Sequence, residues 1–264
     1  MTTRPTLSPS APRPASGLLR SKVPDITAYF WIIKLLTTGM GEAASDFLAH
    51  RLGPLPAVAL SGLGLALALT AQLRARQYQA WLYWSAVVMV SVFGTLAADA
   101  AHVGFGLPYG VSSLGFSLVL AVIFAVWQRR EGTLSIHSIV TRRREVFYWL
   151  TVLTTFALGT AAGDLTAKTL NLGWWASGLL FAALMAAPAL RLGLPGRRRL
   201  PPVLGFWWAY ILTRPVGASF ADWLAVTPGQ GGLGFGAGHV ALGLSVLIAV
   251  LVGFLALTRR DVAK

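Results

Sequence analysis

The chain has 264 residues, 55% of them hydrophobic and 12% charged, with a mean hydropathy of +0.65 and a net charge of +13. Soluble domains carry about 25% charged residues, so this composition belongs to the membrane class and excludes an ordinary soluble domain. With no cysteine, disulfides, thiolate metal sites and cysteine nucleophiles are excluded as well.

Residues 1–22 are rich in Pro, Ser, Thr and Arg and show no apolar periodicity. They read as a disordered tail without the continuous apolar core of a secretory signal. Apolar stretches then run over 26–50, 55–73, 79–103, 109–128, 145–168, 173–191, 203–226 and 233–257. Each is close to the roughly 20 residues a helix needs to cross about 30 Å of hydrocarbon. Helix is the default because an open strand leaves its backbone unsatisfied in lipid. The fold class predicted is all-α: a polytopic membrane protein of about eight transmembrane helices.

Of the 22 basic residues, 18 lie at the two ends and at alternate connections, including Arg74, Arg76, Arg129, Arg130, Arg142, Arg143 and Arg144. The opposite connections hold only Arg51 and Lys168, while Lys34 and Arg214 fall inside helices. This asymmetry places both termini in the cytoplasm. It accounts for the net charge without nucleic acid, and anionic headgroups of the lipid bilayer are the plainer partner.

The odd-numbered helices share one motif: Trp, nine residues, Gly, four residues, Asp. Its instances are Trp31–Gly41–Asp46, Trp84–Gly94–Asp99, Trp149–Gly159–Asp164 and Trp207–Gly217–Asp222, with no gap in any. Four of the six aspartates in the chain lie in it. The motif divides the chain into four tandem two-helix repeats: 23–76, 77–130, 145–199 and 200–258, with a loop at 131–144. Every copy starts on the same side, so the repeats are parallel; a pseudo-fourfold ring and a dimer of two-repeat halves both satisfy that.

Trp and Asp are about 22 Å apart along a helix. The tryptophans then suit an aromatic belt at the cytoplasmic interface, and the mid-helix glycines suit close helix packing. The aspartates fall near the outer ends, where a carboxylate in a membrane helix needs a partner or a wet cavity. Local pairing of Asp46 with His50, Asp99 with His102 and Asp164 with Lys168 fits the helical spacing. Steps of four residues back from each Asp give Asp46–Glu42–Thr38–Lys34, Asp99–Thr95–Ser91–Val87, Asp164–Thr160–Phe156–Val152 and Asp222–Ala218–Arg214–Tyr210. If these faces converge they form a polar cavity open outward and closing inward. Arg214 pairs with Glu42 or Asp46 if the first and seventh helices adjoin. Pro215 is expected to kink the seventh helix. The glycine-rich segment 228–238 lacks a phosphate-loop Lys and reads as an outer turn, and His239 could join Asp222 at a metal. Ser135 and His137 have no convincing orienting acid, so an enzyme is not expected.

VPDITAYFWIIKLLTTGMGEAASDFL, EGTLSIHSIVT, FALGTAAGDL and YILTRPVGASFADWL resemble the DUF347 repeat family of bacterial integral membrane proteins. The resemblance covers about 22–257. It implies four tandem two-helix repeats with a characteristic tryptophan in a bacterial cytoplasmic (inner) membrane, and implies little about activity.

From the residues, the leading expectation is a small transporter or exporter of a cation, divalent metals included. Asp46, Asp99, Asp164, Asp222 and Glu42 would be oxygen ligands, with Thr38, Thr95, Thr160 and Arg214 lining the path. Proton coupling through Glu42 or an Asp is part of that reading. The alternatives are transport of a small organic or anionic solute held by Arg214, and a non-transporting scaffold or sensor acting through 129–144. No cofactor is expected. A homo-oligomer is compatible with the sequence.

Overall fold

The computed structural model describes residues 21–191 and 200–262. The first 20 residues of the expected tail and the basic cluster Arg197, Arg198 and Arg199 lie outside the described residues. The eight long helices are α1 Ala28–Leu52, α2 Pro54–Arg74, α3 Ala80–Phe105, α4 Tyr109–Glu131, α5 Arg142–Asp164, α6 Gly173–Arg191, α7 Pro202–Ala225 and α8 Ala237–Thr258. Thr27 and Thr141 cap α1 and α5 by accepting from Phe30 N and Arg144 N. Gly53, at φ 84°, turns the chain between α1 and α2, where Pro54 begins the next helix without needing a donor. The helix α5 runs on into one π-helical turn, Leu165–Thr169.

The odd helices form a closed ring, in which α1 touches α3, α3 touches α5, α5 touches α7 and α7 returns to α1. Each even helix packs outside the odd helix of the next repeat: α2 on α3, α4 on α5, α6 on α7 and α8 on α1. Of the two arrangements compatible with parallel repeats, this is the pseudo-fourfold ring.

Two interlocks repeat around it. A Cβ on Gly41 would lie 1.6 Å from Ser91 Oγ, one on Gly94 2.9 Å from Phe156 Cβ, one on Gly159 2.3 Å from Arg214 Cγ and one on Gly217 1.9 Å from Thr38 Oγ1. Every motif glycine thus receives the side chain seven residues after the motif tryptophan of the next repeat, and the fourth receives that of the first. The absent side chain lets the backbones approach. Likewise, the residue before each tryptophan packs on the tryptophan of the next repeat. The pairs are Phe30–Trp84, Tyr83–Trp149, Tyr148–Trp207 and Phe206–Trp31, at 5.8, 5.6, 6.3 and 5.8 Å between ring centroids.

The second interlock corrects the expected belt. Trp84, Trp149 and Trp207 are buried, and Trp31 is half-buried. Neighbouring helices enclose the odd helices at this level and leave little lipid-facing surface, so the rings fill the spaces between helices.

The outside is apolar. Leu60, Leu63 and Leu67 on α2, Leu114, Leu118 and Val122 on α4, and Leu242, Val246 and Val250 on α8 are all exposed. An unpartnered apolar surface of this extent is what hydrocarbon covers. Among the described residues, five helical segments are long and apolar enough to cross a membrane: Pro54–Arg74, Ala80–His102, Tyr109–Glu131, Arg142–Thr169 and Ala237–Thr258. The helices α1 and α7 are not among them because they carry Lys34, Glu42, Asp46, Arg214 and Asp222 into the interior. The protein is a multi-pass membrane protein whose polar groups are turned inward.

Candidate functional site

The ring places its polar residues in levels along one axis. At the end that bears the aspartates, oxygens of Glu42, Asp46 and Asp222 all lie within 4.8 Å of one another. Glu42 and Asp222 are buried and Asp46 is half-buried. This juxtaposition exists because α7 closes back on α1. Asp164, on α5, is buried and accepts from Lys168 Nζ at 2.9 Å. Asp99 is half-buried, in a narrow crevice shared with His102, Tyr109, Ser112 and Thr160.

Only one of the three expected local pairs forms, Asp164 with Lys168. His50 Nδ1 lies 3.3 Å from the backbone oxygen of Asp46, not from its carboxylate. The ring of His102 stacks on Tyr109, with centroids 3.8 Å apart, instead of meeting Asp99. His239 is exposed, with Nδ1 3.0 Å from the carbonyl of Phe235, and does not join Asp222. Among the described residues, the carboxylates of Asp46, Asp99 and Asp222 make no ion pair.

One level further in, Arg214 fills the axis. Its side chain is fully buried. Nη2 donates to Glu42 Oε2 at 2.5 Å, to Thr160 Oγ1 at 2.8 Å and to Thr95 Oγ1, and Nη1 reaches the Thr38 carbonyl at 3.5 Å. The sequence positions put Arg214 level with Thr38, Ser91 and Phe156. The long side chain instead extends toward the aspartate end and joins Glu42, Thr95 and Thr160. These four residues, one from each odd helix, are brought to one point.

Thr38 has a packing role. Its hydroxyl donates to Leu35 O and Thr213 O and sits against Gly217. The carbonyl of Thr213 accepts this bond two residues before Pro215, and α7 stays helical through Thr213–Arg214–Pro215.

Deeper again is Lys34. Its Nζ is buried, has no hydrogen-bond partner among the described residues, and lies 4.1 Å from the ring centroid of Phe156 and 4.5 Å from that of Tyr210. Below it, the hydroxyls of Tyr83 and Tyr148 hydrogen bond to each other. The enclosure of Lys34 by rings was not legible in the sequence, because Phe156 comes from α5 and Tyr210 from α7.

The opposite end, which carries the described termini and most of the basic residues, is tied shut. Lys22 pairs with the fully buried Glu145, and Gln72 Nε2 donates to the same carboxylate at 2.9 Å. The tail residue Lys22 is therefore docked: its backbone N–H also donates to Ile139 O at 3.0 Å. The loop 132–141 is folded beneath the bundle, with Ile136 and Ile139 buried and Trp207 Nε1 donating to Leu134 O.

Three comparisons bear on this architecture. No curated protein and no solved structure matches the chain. The family model described as Repeat of Unknown Function (DUF347) matches four times, over residues 29–78, 82–133, 147–194 and 205–261. Each match holds one tryptophan–glycine–aspartate motif and one pair of helices, and together they span most of the protein, so the chain belongs to the DUF347 repeat family.

Proposed function

We propose that the protein transports a cation, with divalent ions the best fit, along the axis of α1, α3, α5 and α7 in a bacterial cytoplasmic membrane, with both termini in the cytoplasm. The observation that carries this is the meeting of Glu42, Asp46 and Asp222 within 4.8 Å at one end of the axis. Carboxylate oxygens so close repel one another unless protons or a cation compensate them. An all-oxygen set suits hard ions such as Mg²⁺, Ca²⁺ or Mn²⁺. The end of the axis holds five carboxylates, Glu42 and the four motif aspartates, against Arg214 and Lys168. When all are ionised this leaves an excess of negative charge, which a cation offsets. The basic connections support the orientation.

Arg214 acts in this reading as the floor of the site and holds Glu42 in place. Its bonds to Glu42, Thr95 and Thr160 weigh against an anionic solute bound there. The loop contacts of Leu134, Ile136 and Ile139 weigh against a free docking segment for a partner protein.

The test is the elemental content of cells by mass spectrometry. Deletion, wild type and the double variant Asp46→Asn, Asp222→Asn are compared at matched membrane levels under challenge with each metal. One cation should shift with wild type and not with the variant. Equal shifts in wild type and variant, or none under any challenge, overturn the proposal.

A further inference from the structure

Lys34 is a buried charged group on the axis that the cation site does not use. It lies eight residues before Glu42 on α1, about 12 Å away along the helix. The carboxylate nearest to it along α1, Glu42, is engaged by Arg214. The groups in contact with its ammonium are the ring faces of Phe156 and Tyr210. From α7 come Tyr210 and Arg214, from α5 Phe156 and Tyr148, and from α3 Tyr83. The other two helices packed on α1 bring nothing to this level, since the titratable side chain of α2 is Arg74 at the basic end and that of α8 is His239 at the aspartate end.

An ammonium held only by aromatic faces in a membrane interior is costly, and an amine can shed that cost by releasing its proton. An arginine cannot, because guanidinium keeps its proton. The axis therefore stacks a fixed positive charge, Arg214, between a cation site and a switchable one. An anion is poorly served beside Lys34, since the π faces of Phe156 and Tyr210 present negative charge to it. A proton needs no cavity.

We infer that Lys34 is the proton carrier of this axis, and that a proton on Lys34 and a cation at Glu42, Asp46 and Asp222 exclude each other, which makes the transport an exchange of cation for proton. This rests on the cation-transport reading. When a cation enters the carboxylates, the ammonium of Lys34 releases its proton toward the basic end and is left as a neutral amine. Toward the basic end the hydroxyls of Tyr148 and Tyr83 hydrogen bond to each other, and each receives one proton as it passes one on. When the cation leaves, the amine takes a proton back. Two charges acting on one across about 12 Å at an effective dielectric near 20 weaken cation affinity about a hundredfold while Lys34 is charged. By linkage, the cation promotes proton loss to the same extent.

The experiment uses the purified full chain in detergent, with Mn²⁺, Mg²⁺ and Ca²⁺ each supplied alone. It measures affinity from pH 6 to 9 by titration calorimetry, together with protons released per cation in weakly buffered solution. Wild type should gain up to about a hundredfold in affinity across that range. Lys34→Met should bind tightly with a flatter profile and release about one proton fewer per cation where wild type titrates. Lys34→Arg should bind weakly throughout. Size-exclusion elution and helical circular dichroism establish that the variants are folded, and the opposite shifts of Met and Arg separate a charge effect from damaged packing. Equal proton release by wild type and Lys34→Met at every pH overturns the role of Lys34 while leaving cation binding standing. Failure of wild type to bind any of the three ions overturns the cation reading and this inference with it.

Discussion

The two ends of the helix ring are built on opposite terms. At the basic end, among the described residues, the buried carboxyl groups have dedicated partners: Glu145 takes Lys22 and Gln72, Asp261 accepts from Tyr78, and the loop through Leu134 and Ile139 is stitched to α7 and to the N-terminal segment. At the aspartate end, three motif carboxylates stand without an ion pair among the described residues, and two of them converge with Glu42. The repeats are alike at their tryptophan and glycine levels, so the difference comes from residues added to the shared frame. One end spends its polar groups on holding the structure closed. The other gathers carboxyl groups that make no ion pair among the described residues, an arrangement that protons or a bound cation can satisfy.

The sharpest way to break this comparison is at Glu145. Glu145→Ala leaves the ammonium of Lys22 buried with only the Leu73 carbonyl at 3.2 Å. Removing one partner of a buried pair costs about 3–5 kcal/mol. Thermal unfolding in detergent should show a large loss, and an unchanged midpoint would mean that the basic end is not the fixed one. A smaller loss is expected where the frame itself is tested. In Gly217→Ala the new Cβ meets Thr38 Oγ1 at 1.9 Å and the Gly39 backbone nitrogen at 2.9 Å, and such overpacking costs about 1–3 kcal/mol. Gly115→Ala on the outer helix α4 meets nothing within 4 Å and should be neutral or stabilising by up to about 1 kcal/mol. Equal melting temperatures for the two would contradict the glycine interlock.

At the aspartate end the expected sign reverses. Replacing Asp46 and Asp222 together by Asn removes repulsion around Glu42, so stability should hold or rise by about 1 kcal/mol. The same double variant should lose the rise in melting temperature that millimolar Mn²⁺, Mg²⁺ or Ca²⁺ gives wild type by binding the folded state. A double variant that melts well below wild type would make these aspartates structural, like the groups at the basic end.

Much of the frame was legible in the sequence because repetition is visible without coordinates. The ungapped motif gave the helix pairs, and the step of four gave a polar face on each odd helix. What stayed hidden depends on which helices adjoin. Glu42 and Arg214 are 172 residues apart, and their pairing followed only if α7 closed on α1. The inward tryptophans could not be told from an interfacial belt, because depth along the membrane is the same in both cases and only the neighbouring helix differs. The pairing of Lys22 was hidden for another reason: a Pro-rich and Arg-rich composition reads as tail until a buried carboxylate such as Glu145 is found to need a cation.

The smallest effect expected is at Asp261, outside the membrane-spanning segments, and it tests how tightly the basic end is shut. Asp261 is buried, and Tyr78 donates a hydrogen bond to its carboxylate. Burial pushes the carboxyl above its ordinary value, with the bond from Tyr78 acting in the opposite direction, and burial pushes the phenol of Tyr78 up too. A carboxyl raised in the folded state keeps its proton at a pH where the unfolded chain, titrating near 4, has released it. Its stabilising contribution is then fully present below about pH 4 and is lost as pH rises through the raised folded value. Asp261→Asn can still accept from Tyr78 and has no proton to lose. The melting temperature of wild type relative to this variant should therefore fall as pH rises through that window and level off above it. A difference that does not change with pH would mean that water reaches Asp261 and that the basic end opens more readily than its hydrogen bonds suggest.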